Sequence, residues 1–117
     1  MVEFALVLPL LLVIALALAE VGLLVRDRLL VEEAARAGAR QASISADAAA
    51  ISGAAHHAAP SLDPAALTVR VSRAGGRGDP VTVTIDYSSV VRVPFISWLL
   101  GRRVEMRAST TDRQEFG

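Results

Sequence analysis

The sequence predicts an α+β fold in which one long N-terminal helix packs on a small three-stranded antiparallel sheet. The first observation behind this prediction is an apolar segment, residues 4–25, that continues as helix-favouring sequence to about Ile44. The second is the alternation of apolar and polar residues in three short segments after Leu67. Three such strands share one apolar face, and an Ala-rich helix is the natural cover for it.

Length and composition restrict the classes of function. The 117 residues are enough for one small domain after the leading segment is set aside. Twelve acidic residues balance twelve basic residues, all of them arginine, so we expect no nucleic-acid partner. Cysteine is absent, which excludes disulfides, thiolate metal sites and thiol nucleophiles.

The leading segment is long enough to cross a membrane. Residues 4–25 carry one charge, Glu20, and as a helix they reach about 33 Å, against about 30 Å for a bilayer core. Pro9 removes one backbone hydrogen bond, which predicts a kink or local melting near the start of the helix.

Three interpretations of this segment compete: a cleaved secretory signal peptide, a permanent membrane anchor, and an anchor that leaves the membrane later. A secretory signal peptide would be cleaved after Ala19, but Glu3 gives its first residues the wrong charge. A membrane anchor fits the length. Its orientation is a difficulty, because the positive-inside rule taken alone places the following domain in the cytoplasm unless basic residues precede the segment in the natural chain. The arginines concerned are Arg26, Arg28, Arg36 and Arg40.

The second half of the long helix is predicted to be amphipathic, giving a total length of about 60 Å. Its expected apolar stripe consists of Leu23, Leu30, Ala34, Ala37 and Ile44, and its expected polar face of Arg28, Glu32, Arg36 and Arg40. Glu32 and Arg36 have the spacing of a helical ion pair. The row Ala34, Gly38 and Ala42 lets another helix approach closely, unless alanine serves here only as a good helix former.

The rest of the chain is predicted to form a short helix and then the sheet. Ser45 or Asp47 caps the helix, which ends before Pro60 and is followed by a turn at residues 61–64. A glycine-rich hairpin loop is expected at residues 74–79. The inward-facing strand residues are Leu67, Val69 and Val71, then Val81, Val83, Ile85 and Tyr87, and finally Val104, Met106 and Ala108.

The connection before the last strand is more apolar than a solvated loop. Phe95, Ile96, Trp98 and Leu99 cap the core, lie on the membrane surface or meet a neighbouring subunit, and core capping is the simplest of the three interpretations.

Nothing in the sequence predicts catalysis, a cofactor or a metal site. His56 and His57 are adjacent, so on a helix they point about 100° apart and do not chelate one ion easily. The run GGRG lacks the Lys and Ser or Thr of a phosphate-binding loop. No serine lies in a nucleophile motif. We therefore expect the protein not to be an enzyme.

Three segments in order, VEFALVLPLLL, AEVG and AARAGAR, resemble the TadE-like pseudopilins of tight-adherence (Flp-type) type IV pilus systems. The resemblance implies a pilin-like fold, with residues 1–25 as a transmembrane and assembly helix and residues 26–117 as a domain outside the cytoplasm. It implies a minor subunit at the pilus base or tip, anchored in the inner membrane before assembly. Its implied partners are other pilin or pseudopilin subunits, the prepilin peptidase, the inner-membrane platform and membrane lipid.

The resemblance also assigns roles to single residues. Glu3 corresponds to the glutamate at the fifth position of mature pilins, so the chain is expected to start too late, without the basic leader that the peptidase removes. Glu3 would pair with the α-amino group of a neighbouring subunit. Glu20 would pair with Arg26 or with a partner's arginine, or would simply lie in the membrane interface, and the interface is the preferred position. The residues implied in subunit assembly are Glu3, Phe4, Pro9, Glu20, Gly22, Ala34, Gly38 and Ala42.

Overall fold

One helix, α1 (Val2–Ile44), forms the long axis of the molecule. The structure is a computed structural model that describes residues 2–91, 98 and 101–117 and measures 73 × 22 × 19 Å. The predicted single long helix is confirmed, and it continues across residues 25 and 26. It also continues through Pro9, so the predicted local melting does not occur. Because Pro9 lies in the second turn, it deprives only the carbonyl of Ala5 of its partner.

The remaining elements complete the predicted α+β fold. They are a second helix α2 (Ala48–Ala58), a 3-10 turn (Pro64–Ala66), and the strands β1 (Leu67–Arg73), β2 (Pro80–Val90) and β3 (Arg103–Arg113). The strands pair antiparallel in the order β1-β2-β3. Leu67 faces Tyr87 across the first pair, and Val90 faces Arg103 across the second.

The start of α2 is set by Asp47, one of the two predicted capping residues. Its carboxylate accepts a hydrogen bond of 3.0 Å from the backbone N–H of Ala49. The hydroxyl of Ser45 instead accepts from the N–H of Asp47, at 3.1 Å. The helix ends at Ala58, before Pro60, as predicted.

The inner face of the sheet carries the predicted residues, with one exception at its edge. The four alternating apolar residues of β2 are all buried, as are Met106 and Ala108 of β3. In β1, Leu67 is buried but Val71 is 39% exposed. Val71 is exposed because α1 packs mainly on β2 and β3 and leaves the far end of β1 uncovered.

The buried stripe of α1 differs from the predicted one. Ala34 is buried, but Leu23, Leu30 and Ala37 are half-buried and Ile44 is 56% exposed. The stripe is centred on smaller residues because α1 packs against both the sheet and α2, which covers a wider face than one neighbour would. Its apolar and glycine members are Val31, Ala34, Ala35, Gly38, Ala39 and Ala42.

The predicted ion pair between Glu32 and Arg36 is wrong. Glu32 contacts Arg28 at 3.3 Å, and Arg36 contacts Glu33 at 2.8 Å. A guanidinium N–H of Arg28 also donates to the backbone carbonyl of Arg107 in β3, and this second contact holds Arg28 beside Glu32.

The predicted glycine-rich loop joins β1 to β2. Gly78 has a φ of +88°, a left-handed conformation that side chains other than glycine rarely adopt. Its N–H donates to the carbonyl of Gln114 at 2.8 Å. The loop therefore contacts the C-terminal segment of the chain.

The apolar connection between β2 and β3 is described only in part. Phe95, Ile96 and Leu99 lie outside the described residues. Trp98 is 88% exposed, so the prediction that it caps the core is wrong.

Candidate assembly surface

Residues 2–19 of α1, called its apolar front, form an apolar surface that no described part of the chain covers. Its large side chains are exposed on all sides, as shown by Phe4 (71%), Leu6 (72%) and Leu10 (59%). The helix is long and apolar enough to cross a membrane, and none of its most apolar window is buried. Such a surface is stable only when lipid or other apolar helices surround it.

Glu3, Phe4 and Pro9 all lie on this uncovered part of α1. Each is exposed, and Glu3 is the one charged residue before Glu20. A carboxylate among apolar side chains is costly in a bilayer unless a positive group reaches it. The position of Glu3 therefore calls for a partner outside the described chain once the helix is in a membrane.

Gly22 is exposed, and no described residue near it requires a glycine. A Cβ atom built there would meet no atom of the described residues within 4 Å. A glycine inside a helix costs up to about 1 kcal/mol relative to alanine, so the internal packing of the chain offers no compensation for it. The absence of a side chain leaves room for a second helix to approach α1 at this point.

The row Ala34, Gly38 and Ala42 has an intramolecular role instead of the predicted intersubunit one. All three residues are buried. A Cβ atom built at Gly38 would lie 3.0 Å from Cγ1 of Val83 and 3.7 Å from Cβ of Ala55. The small residues admit the chain's own β2 and α2, so this face is not exposed to another subunit.

Glu20 is fully buried, whereas the prediction placed it in the membrane interface. Asp27, two helical turns later on the same face, is buried too and accepts a hydrogen bond of 2.6 Å from the hydroxyl of Ser89. This charge-assisted bond joins α1 to the end of β2. Sequence reasoning missed Asp27, although its spacing of seven residues from Glu20 places both carboxylates on one face.

The described surface thus separates the predicted assembly residues into two groups. Glu3, Phe4, Pro9 and Gly22 are exposed, and the other four are part of the core.

Residues 1–40 match the family model of TadE-like proteins. This confirms the resemblance over that segment. No curated protein and no solved structure matches the chain significantly.

The TadE-like segment includes the uncovered front of α1 and most of its covered second half. The match ends before Ala42 and does not extend to the sheet or to α2. The sheet, α2 and the C-terminal tail therefore belong to the part of the chain beyond the TadE-like segment.

Arg73 fastens the end of α1 to the C-terminal tail, a role that sequence reasoning missed. Its guanidinium donates to the carbonyls of Ala42 (3.0 Å) and Ser45 (2.8 Å), and to the side-chain oxygen of Gln114 (2.8 Å). The same group lies 5.1 Å from the ring centre of Phe116. The sequence contains one signal of this role, because the alternation of β1 places Arg73 on the inward face, where apolar residues are expected.

The tail also contacts α1 through its backbone. The N–H of Glu115 donates to the carbonyl of Ser43 at 2.7 Å. The last carbonyls of a helix have no partners within it, and a cation near them is favourable. Arg73 and the tail therefore cap α1 at the end far from its apolar front.

The outer face of the sheet is polar and is crossed by a row of charges. Asp86 lies between Arg70 (2.6 Å) and Arg107 (2.7 Å). The hydrogen bond from Arg107, together with the charges of Arg107 and Arg70, holds the pKa of Asp86 below its ordinary value of 3.8, although partial burial acts in the opposite direction.

Replacing Asp86 by asparagine should change how the free energy of unfolding depends on pH in the acid range. Because the folded pKa is lowered, the ionised carboxylate stabilises the fold above pH 3.8, and this contribution is lost as the pH falls through the folded pKa. We expect the variant to be less stable by about 1 kcal/mol or less near neutral pH, since the pair is partly exposed. The difference should vanish in strong acid. Thermal unfolding of the full chain in detergent between pH 2 and 7 measures this difference in stability. A difference that stays constant across that range would contradict the lowered pKa of Asp86.

The two histidines lie near the end of α2. The side-chain Nε2 of His56 is buried and makes no hydrogen bond to any described residue. Within the described ranges, no three His, Cys, Asp or Glu residues are grouped so that they could hold a metal ion.

Proposed function

We propose that this chain is a minor pilin-like subunit of a Tad-type pilus, held in the inner membrane by α1 and later packed against other subunits through the same helix. The observation that carries the proposal is one continuous helix whose apolar front is uncovered and whose second half is enclosed by the chain's own sheet and α2. The match of residues 1–40 to TadE-like proteins supports the association with a pilus.

The division of α1 suggests how the subunit works. The covered half makes the domain a rigid extension of the helix, so a force or a contact on one is transmitted to the other. The uncovered front exchanges lipid for neighbouring helices, with Glu3 as the charged contact and Gly22 as the point of close approach. The role is structural and not catalytic, with the domain outside the cytoplasm. Its partners are pilin or pseudopilin subunits, the membrane platform and, for the precursor, the prepilin peptidase.

A secreted module cleaved after Ala19 is the alternative function. The burial of Glu20 argues against it. Cleavage at that point would create a charged α-amino group at a fully buried position, which is costly without a new partner. The mature N-terminus, determined by mass spectrometry on protein expressed from its whole gene in native membranes, separates the two. A terminus at Glu20 would overturn the pilus proposal.

The proposal predicts that Glu3 directs helix pairing. The chain has no native cysteine, so a single Leu10→Cys variant reports contacts of the exposed front without interference. In native membranes, a photoactivatable crosslinker attached to the thiol of Leu10→Cys is expected to join the chain covalently to a second pilin-like helix. Adding Glu3→Gln, which keeps the shape and removes the charge, should lower the crosslink yield about tenfold, equivalent to about 1.4 kcal/mol.

Two controls make this experiment decisive. Ala35→Cys places the thiol in the core, where no crosslink to another subunit is expected. Glu33→Gln removes an exposed carboxylate from the covered half of α1 and should leave the yield unchanged. Equal yields with and without the charge at Glu3 would show that Glu3 does not direct pairing, and the absence of any crosslink would contradict subunit packing through the front of α1.

A further inference from the structure

Three exposed arginines lie in segments that meet at one end of the sheet, near the point where α1 becomes apolar. The base of the β2–β3 connection is closed by a hydrogen bond of 2.9 Å from the N–H of Val91 to the carbonyl of Arg102. Arg103 pairs with Val90 at the neighbouring position. Arg102 and Arg103 are both exposed.

The same end of the sheet is attached to α1 next to a third arginine. Ser89, one residue before Val90, donates to the carboxylate of Asp27 at 2.6 Å. Arg26 directly precedes Asp27 and is exposed. The three residues Arg26, Arg102 and Arg103 are hereafter called the arginine collar.

The arginine collar follows the lipid-facing part of α1. Glu20 is buried within the chain and Leu24 packs on the core of the domain, so the part of α1 that faces lipid ends before Glu20. Arg26 lies six residues after Glu20, which is about 9 Å further along the helix. The layer of lipid headgroups is about 5–7 Å thick, so the long side chain of Arg26 can reach back to the phosphates of the adjacent leaflet.

The chemistry of the collar suits phosphate. Among the described residues no carboxylate forms an ion pair with any of its three guanidinium groups, and only Arg103 has a side-chain hydrogen bond, a long one of 3.4 Å to Ser88. A guanidinium group binds phosphate oxygens through two parallel hydrogen bonds.

An exposed indole belongs to the same connection. Trp98 lies between Val91 and Arg102 in the chain and is 88% exposed. Tryptophan is enriched at membrane surfaces because its apolar ring enters the headgroup region while its N–H stays hydrogen-bonded.

We propose that the arginine collar and Trp98 dock onto the phosphate headgroups of anionic phospholipids and so hold the folded domain against the membrane before assembly. The inference rests on the membrane anchoring in the proposed function and adds a second, reversible contact with the bilayer. It gives the domain one orientation relative to the membrane, and leaving the membrane then requires this contact to be broken.

Trp98 is the single tryptophan of the chain, so its fluorescence reports on the contact without labelling. The full chain is reconstituted in vesicles of phosphatidylcholine, with or without phosphatidylglycerol, that contain brominated lipid as a quencher. We expect quenching and a blue shift of the emission in the anionic vesicles and a much smaller effect in the neutral ones. Each Arg→Gln substitution in the collar should lower the ratio of docked to undocked domain about fivefold.

The matched control removes the same charge elsewhere. Arg40→Gln, Arg77→Gln and Arg113→Gln change three exposed arginines at the opposite end of the domain and should leave quenching unchanged. Equal quenching in neutral and anionic vesicles, or in collar and control variants, would overturn the recognition of anionic headgroups by the collar. A chain that floats with the vesicles but shows no quenching would overturn docking alone. A chain that fails to float with them would contradict the membrane anchoring of the proposed function, and docking with it.

Discussion

Replacing Gly38 by leucine is expected to destabilise the domain strongly. A Cβ atom alone would lie 3.0 Å from Cγ1 of Val83, and leucine adds three further carbons in the same place. Overpacking of this kind costs about 1–3 kcal/mol, occasionally more. The better helix propensity of leucine, about 0.8 kcal/mol over glycine, offsets only part of it. Thermal unfolding followed by circular dichroism in detergent should show a midpoint lower by several degrees.

The same substitution at Gly22 is the matched control. It lies on the same helix, and a Cβ atom there has no neighbour within 4 Å in the part of the chain that the structure describes. Gly22→Leu should therefore leave the unfolding midpoint unchanged or raise it slightly, while Gly38→Leu lowers it. Equal midpoints for the two variants would show that β2 and α2 do not pack on Gly38 as closely as described.

Replacing Arg73 by alanine is expected to release the C-terminal tail. The change removes three hydrogen bonds to Ala42, Ser45 and Gln114 and leaves Gln114, which is 5% exposed, without this donor. Losing hydrogen bonds to a charged group costs about 1.5–3 kcal/mol when the partners stay buried. Arg73→Lys should be intermediate, because an ammonium group does not reproduce the fork of a guanidinium.

Hydrogen exchange provides a local measurement of this effect. The N–H of Glu115, bonded to the carbonyl of Ser43, should lose protection in Arg73→Ala before the strands do. Arg77→Ala, an exposed arginine in the adjacent loop, should leave that protection intact. Unchanged protection of Glu115 in Arg73→Ala would mean that the tail is held without Arg73.

Local patterns in the sequence were sufficient to predict the elements of this fold. The strands were recognisable because a two-residue period places every second side chain on one face, as the buried residues of β2 confirm. Asp47 was recognisable as a cap because a carboxylate before a helix can accept from its first N–H groups. The uncovered front of α1 followed from its composition, and the order of its motifs indicated the TadE-like family.

The partner of each helix face was decided only by the tertiary structure. Periodicity shows which residues share a face, but it does not show whether a sheet, a second helix, lipid or another subunit covers that face. The row Ala34, Gly38 and Ala42 has the spacing of an intersubunit contact, yet it packs on the chain's own Val83 and Ala55.

The charged residues illustrate the same limit. Asp27 is buried because long-range folding brings the end of the sheet onto its face of α1, where Ser89, 62 positions later in the chain, supplies a hydrogen bond. Glu20, on the same face, is buried too. Arg73 likewise binds carbonyls about 30 residues away in sequence, at separations of 31 and 28. The sequence by itself determined the elements and the apolar front of this protein, because these depend on neighbouring residues. The tertiary structure decided which polar groups are buried and which small residues are hidden, because these depend on residues that meet only when the chain is folded.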